Sequence, residues 1–396
     1  MKKNIYKIIT LASFILAFLY LAGCSEDITP SLTELSPESL ATPVITSINP
    51  PGEALAGVTR LTITGSNFSA TLRNNLVYFN GVPGKVISSS STQLEVVSAV
   101  VIADTVLIKI SIIGSDQFSN VFSYKLKPAV AEFYPFNPKI FQVPYAVTVD
   151  NMENVYVSLS ALGIKKIDNQ GQLIDFAPKG PETFFRSITL ASDNAVYAVR
   201  GGVKGVYKVA ENTTPAAFVA SSQGITDNVN SINFDKSRDV LWAGGNTGIV
   251  YRITLNKNVK KFNIDGNINA LRVAGNDLYV ASTTNKELIW KMPIVSADSL
   301  GAPELYFDLS TQIDSLIKVI DIVVAQDGDI YLGTDKTSNP IYVIHPNKSY
   351  EELYPGLINS AVYSLVWGNG NFIYMTNIVD NINTTILKID MQKLGL

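Results

Sequence analysis

The chain has 396 residues, a formal net charge of −3, 46% hydrophobic residues, one cysteine and one histidine. Its length exceeds one ordinary core and points to two or three domains. The lack of a basic run leaves nucleic acid without an electrostatic footprint. A lone cysteine leaves no pair for a disulfide, and one histidine with one cysteine makes a zinc site a poor expectation.

Lys2, Lys3 and Lys7 precede an apolar run from Ile8 to Tyr20. That run falls short of the roughly 20 apolar residues a membrane-spanning helix needs, and it reads as the apolar part of a secretory signal. It ends in Leu21-Ala22-Gly23-Cys24, a tetrad that resembles a bacterial lipobox. The resemblance implies a signal peptide over 1–23, cleavage before Cys24 and acylation of Cys24. Ser25-Glu26-Asp27 is similar to the export signal of surface-displayed lipoproteins, which implies a lipid anchor in the outer membrane and exposure at the cell surface. Residues 24–42, with Pro30 and Pro37 among Ser, Thr and Glu, have little to bury and read as a flexible tether.

Beyond the tether, short runs of Val, Ile, Thr and Tyr alternate with Asn, Asp and Gly, and no long helical period occurs. The expected fold class is all-β. Residues 43–126 hold about seven such runs, including Leu61–Thr64, Leu76–Phe79 before the turn Asn80-Gly81, Thr92–Val97, Val106–Ile113 and Val121–Tyr124. Asn-Gly between apolar runs favours a tight hairpin, and the strand density fits an immunoglobulin-like sandwich. Ile48-Asn49-Pro50 with Gly52 and Gly57, Ile63-x-Gly65-x-Asn67-Phe68, Val77-x-Phe79-Asn80-Gly81 and Phe122-x-Tyr124 together resemble the IPT/TIG family. The resemblance implies a spacer or protein-binding module. A proline often found after the Leu94–Val96 strand is replaced by Ser98-Ala99-Val100.

Residues 127–396 repeat one pattern: an apolar strand, a polar turn, a strand with a central aromatic, then two more strands. The central aromatics are Tyr156, Tyr197, Trp242, Tyr279, Tyr331 and Tyr374. A four-strand unit recurring at about 40 residues is a propeller blade, so the pattern predicts six blades. The last copy ends after its third strand. Ala131-Glu-Phe-Tyr-Pro135 matches the fourth-strand sequence Glu351-Glu-Leu-Tyr-Pro355, so Ala129 to Tyr134 is expected to close the ring against Thr385 to Ile389. The turns after Val149 and Val324 resemble those of NHL and SMP-30-like propellers, a group that includes binding scaffolds, lyases and lactonases.

Chemistry is sparse. His345, in Ile344-His345-Pro346, reads as a turn residue at the blade rim. SMP-30-like enzymes hold a cation with Glu, Asn and Asp at inner blade ends. Asn230, Asn269 and Asp321 lie near such ends, but Tyr145 and Ala146 stand where the Glu would be. No catalytic residue, metal or cofactor is therefore assigned. Trp242, Trp290 and Trp367 read as blade packing. The candidate ligand surface is the loop face where first strands begin and second strands turn into third. It comprises Tyr145, Phe185, Arg186, Arg200, Asn230, Asn246, Asn269, Thr284 with Asn285, Lys318, Asp335 and Asn377. Aromatic rings beside amides and charges suit sugars, whose apolar faces stack while hydroxyls take hydrogen bonds.

The sequence thus predicts a non-catalytic, surface-anchored lipoprotein that binds a glycan or other extracellular ligand, with the sandwich as spacer. Its expected partners are the membrane, through the anchor, and a polysaccharide or outer-membrane protein. The alternatives are a propeller lyase or lactonase and a protein-interaction scaffold in an outer-membrane assembly.

Overall fold

A computed structural model describes residues 39–181, 184–379 and 383–396. Cys24, the signal sequence and most of the tether lie outside the described residues. Residues 39–42, read as the tether's end, are already fastened to the sandwich. The Leu40 amide donates to the Gly114 carbonyl at 2.8 Å, and the Asn67 side chain donates to the Thr42 carbonyl at 2.8 Å. No helix among the described residues is long and apolar enough to cross a membrane.

The sandwich consists of two sheets. One orders Val44–Asn49, Arg60–Ser66, Gln93–Val97 and Lys85–Ser89; the other orders Glu53–Leu55, Phe122–Lys127, Ala103–Ile112, Asn75–Phe79 and Val82–Pro83. Alternate residues point inward, burying Leu61, Ile63, Val77, Phe79, Leu94, Ile108 and Ile110. Asn80 and Gly81 have φ of 48° and 86° and turn Asn75–Phe79 into Val82–Pro83, the hairpin their sequence predicts. Where the proline is missing, the strand still ends at Val97, and the Ser98 hydroxyl donates to the Leu55 carbonyl at 2.9 Å.

Contacts divide the chain into two compact units. Arg60–Val97 and Leu107–Ser123 fall in the first unit, with the residues before Gly52; Gly52–Thr59, Ser98–Val106 and Tyr124–Leu396 fall in the second.

The second unit contains six four-stranded antiparallel blades, the fourth extended by a small hairpin. Their first strands are Pro144–Val149, Ser187–Leu190, Val229–Asp235, Asn267–Ala274, Val319–Val324 and Leu365–Trp367. Each contacts the next, and the last contacts the first, so the ring is closed. Val130–Phe136 supplies the fourth strand of blade 6, from Val130 opposite Ile389 to Phe136 opposite Thr384. This is the pairing expected from the sequence, and it covers an edge that would otherwise be open. Blade 4 departs from the simple pattern. Its third strand runs on through Glu287–Ser296, a hairpin pairs Ile294 with Leu300, and a short helix, Leu309–Gln312, follows its fourth strand.

Apolar packing lies between blades. Six buried clusters among the described residues each join one pair of neighbours, as with Tyr197, Ile232 and Tyr251 for blades 2 and 3. Trp242 is 0% exposed within such a layer, in keeping with a packing role. The central aromatics also tie the turn before them: Tyr156 reaches Asp150 at 3.2 Å and Tyr197 reaches Asp193 at 3.0 Å. Tyr374 reaches across from blade 6 to Glu153 of blade 1 at 2.9 Å.

First strands of neighbouring blades are too divergent to form a ladder, so their backbone groups need side-chain partners. Ser187 accepts from the Ile232 amide at 3.2 Å, Ser231 from Leu271 at 3.1 Å, Asp321 from Leu365 at 2.8 Å and Ser364 from Val147 at 3.3 Å. One turn of the pleat further on, Thr189 accepts from Phe234 at 3.1 Å and Asn233 from Val273 at 2.9 Å. Each polar side chain therefore fastens its own blade to the next.

Candidate ligand-binding site

The channel has two different mouths. At the mouth where first strands begin, the upper mouth, the strand register shifts in blades 1, 3, 4 and 5, leaving Tyr145, Asn230, Asn269 and Ile320 as the extra residues. A bulge re-aims a side chain and ends regular pairing, a common device beside binding sites. The first three are among the candidate positions expected from sequence. In blade 5 the expected position is Lys318, which is exposed at the rim, whereas the bulged residue is Ile320. Simple alternation cannot anticipate a one-residue shift of register.

Tyr145 stacks on Phe184, with centroids 4.2 Å apart and planes 25° apart, and meets Tyr363 edge-on at 6.0 Å. Burial, helped by the neighbouring Tyr363, raises the Tyr145 phenol above its ordinary pKa. Tyr363 is 40% exposed. Phe185, the expected ligand contact, is instead 2% exposed and packs in the core between blades 1 and 2, while its neighbour Phe184 takes the surface position. In a run of two phenylalanines, only the strand's phase decides which one turns inward.

The amides on this mouth serve the ring. Asn230 donates to Asn246 and to the Ile268 carbonyl at 3.1 Å, bridging blades 3 and 4. Asn377 is buried between Ser360 and Thr385. Asn269 donates to Thr283 at 2.7 Å and to Glu287 at 3.1 Å. Glu287, 2% exposed, also accepts from Thr283 at 2.5 Å and from the Val319 amide at 3.0 Å. Burial nevertheless raises its pKa above the ordinary carboxylate value, with Asp335 adding to the rise. Glu287 was not singled out from sequence, because nothing in Asn285-Lys286-Glu287 distinguishes it from a surface turn. Arg200, Asn246, Thr284, Asn285 and Asp335 are exposed. Asp335 accepts from the Lys318 amide at 3.0 Å, and Thr284 contacts Asn285 at 3.2 Å.

Arg272 crosses between first strands below this mouth. Its Nε donates to the Ile322 carbonyl at 2.6 Å, and one terminal nitrogen lies 3.2 Å from both Asp321 Oδ1 and the Leu365 carbonyl. Asp321 is fully engaged, since it also accepts from the Ile322 and Leu365 amides and from Ser364. Arg186, entering blade 2, is largely withdrawn from solvent, and this lowers its pKa despite the counter-effect of the Asp321 charge.

The opposite mouth holds a cavity of about 230 Å³ lined by Thr148, Thr189, Asn233, Arg272, Val323 and Trp367 among others. The candidate face chosen from sequence therefore lies at the other end of the channel. Residues 394–396 lie against this lower cavity: the Leu396 amide donates to the Val324 carbonyl at 3.0 Å and the Gln326 amide to the Leu394 carbonyl at 3.0 Å. His345 sits at the rim as expected, with Nδ1 2.8 Å from Asp329, whose other oxygen is 2.6 Å from Lys393. Among the described residues, no group of three or more His, Cys, Asp or Glu side chains is placed to hold a metal ion.

The fold is thus all-β, with an immunoglobulin-like domain and a six-bladed propeller. Residues 43–126 match the IPT/TIG domain model. No curated protein matches the chain by sequence. Among solved structures, it is similar to a putative phosphatase from Bacteroides thetaiotaomicron (14% identity, 88% of this chain and 97% of that chain covered, TM-score 0.57). It is also similar to an auxiliary nutrient binding protein from the same organism (15% identity, 88% and 98% covered, TM-score 0.49). A third similar structure is the virginiamycin B lyase from Staphylococcus aureus (14% identity, 73% and 93% covered, TM-score 0.48). At 14% identity the likeness to the first of these extends to the fold alone, and a fold does not decide function.

Proposed function

We propose that this protein is a non-catalytic, surface-anchored binding lipoprotein that takes a glycan through the upper mouth of its propeller, with the IPT/TIG domain as spacer. The observation that carries the reading is the aromatic group Tyr145, Phe184 and Tyr363 gathered from three blades at one mouth. Its partly open rings offer apolar area for a sugar face, and the adjoining side chains offer hydrogen-bonding groups. The engaged state of Asn230, Asn269 and Asn377 supports a preorganised wall rather than flexible contacts.

The anchor belongs to the same proposal. Acylation of Cys24 would hold the chain at the outer membrane, facing outward. Cys24→Ser is expected to release a folded, binding-competent protein into the soluble fraction; an unfolded released form would refute the modular reading. A glycan array probed with the chain lacking residues 1–23 tests the binding function. Turnover of a bound compound would place the protein among propeller enzymes instead. Silence on every glycan, with a single membrane protein co-purifying, would make it an assembly scaffold.

A further inference from the structure

We infer that the glycan recognised at the upper mouth is anionic, and that Arg186 pairs with its carboxylate or sulfate ester while the sugar ring faces the Tyr145–Phe184–Tyr363 group. This rests on the proposed binding function and narrows it to a ligand class.

Arg186 immediately precedes the first strand of blade 2 and Arg272 stands on that of blade 4, yet Asp321 is the carboxylate that acts on both, and its oxygens are taken by Arg272, Ser364 and the Ile322 and Leu365 amides. Among the described residues, no side chain or carbonyl accepts a hydrogen bond from the Arg186 guanidinium. Asp321 is the one carboxylate recorded as acting on Arg186, and its charge is already paired with Arg272. Arginine stays ionised in proteins, so a guanidinium drawn out of water must find a counter-charge or lose solvation free energy. The Arg186 stem is held by the close passage of Gly201: a β-carbon added there would lie 3.3 Å from Arg186 Cδ. The fork of a guanidinium matches the two oxygens of a carboxylate or a sulfate ester, and it does so bidentately. Arg186 entering blade 2 and Tyr145 entering blade 1 occupy the same level of neighbouring blades, which suits a ring bearing its acid group at one edge.

Calorimetric titration of the full chain tests the inference with three probes: an oligogalacturonate, which has carboxylates only; a carrageenan oligosaccharide, which has sulfate esters only; and a neutral xyloglucan oligosaccharide. Binding of one or both anionic probes is expected, weakened at least tenfold by Arg186→Gln and less by Arg186→Lys, which keeps charge but not the fork. Which anionic probe binds identifies the source of the charge. If the neutral probe binds as tightly as either anionic one and Arg186→Gln leaves its affinity unchanged, the anion inference is wrong and the binding function stands. If no probe binds, both fail. Should Arg186→Gln not fold, the thermal midpoint of the unmutated protein decides: galacturonate or galactose sulfate must raise it where galactose does not, and equal effects overturn the inference.

Discussion

The Arg272 guanidinium reaches the Asp321 carboxylate at 3.2 Å, joining the first strand of blade 4 to that of blade 5, while Asp321 in turn holds the Leu365 amide of blade 6 at 2.8 Å. Three blades thus meet at one ion pair. The arrangement both tightens the ring and uses up the carboxylate that Arg186 would otherwise share.

Asp321→Ala should therefore act on the ring as a whole. It removes the acceptor for two backbone amides, the Ser364 hydroxyl and Arg272. The pair is mostly buried, at 16% and 21% side-chain exposure, so a loss of about 2–4 kcal/mol is expected, somewhat below that for breaking a dry pair. Chemical denaturation should show a lower midpoint with an unchanged slope. A change below 0.5 kcal/mol, roughly the scatter among neutral surface substitutions, would mean the pair does not hold the blades together.

Ring closure makes a second prediction. A fragment beginning at Pro144 lacks Val130–Phe136 and leaves the outer edge of the strand Asn383–Asp390 unpaired. It should associate through that edge, whereas a fragment beginning at Pro128 should remain monomeric. Light scattering on eluting peaks distinguishes them. A monomeric, cooperatively unfolding fragment from Pro144 would show that closure is dispensable.

Glu287 should give stability a particular pH dependence. Its folded pKa lies above the ordinary value of 4.5, chiefly through burial. Between the unfolded and folded pKa values the native state binds more protons than the unfolded state, so the stability it contributes is full below about 4.5 and is lost as pH rises through the folded value. Glu287→Gln should flatten this dependence above pH 4.5. Unfolding free energies at a series of pH values test it, and parallel curves for the two proteins would refute it.

Tyr363→Ala and Tyr145→Ala should each weaken glycan binding by about tenfold, the scale of one lost ring contact plus its buried area. Tyr363, being more exposed, should do so with little change in thermal midpoint. Equal binding by both variants would remove the aromatic platform from the site.

Gly395 passes beneath Trp367 so closely that a β-carbon would lie 2.2 Å from the indole ring. Gly395→Val should displace residues 394–396 from Val324, cost about 1–3 kcal/mol as an overpacked contact, and alter tryptophan fluorescence. An unchanged spectrum and midpoint would argue against tight docking.

Much of this molecule could be read directly. The central aromatics from Tyr156 to Tyr374 mark six blades because every blade must bury the same position between neighbours, and packing repeats leave a periodic trace. Asn80-Gly81 marks its hairpin because few residue pairs accept two positive φ values. The matching Tyr-Pro pairs at 134–135 and 354–355 announced the closing strand. Functional positions were less legible. Phe184 and Phe185 look alike in sequence, and Lys318 and Ile320 differ only by where a bulge falls.

The sequence by itself determined the all-β class, the two kinds of domain, the blade number and the strand that closes the ring, since alternation, turn chemistry and repetition are local properties. Only the tertiary structure decided which residues meet across the channel. Arg186, Arg272 and Asp321 come from blades 2, 4 and 5, separated by 49 to 135 positions, and Tyr145, Phe184 and Tyr363 from blades 1, 2 and 6. Whether a charge is paired or a ring exposed depends on neighbours that closure of the ring brings together, and no local pattern encodes them.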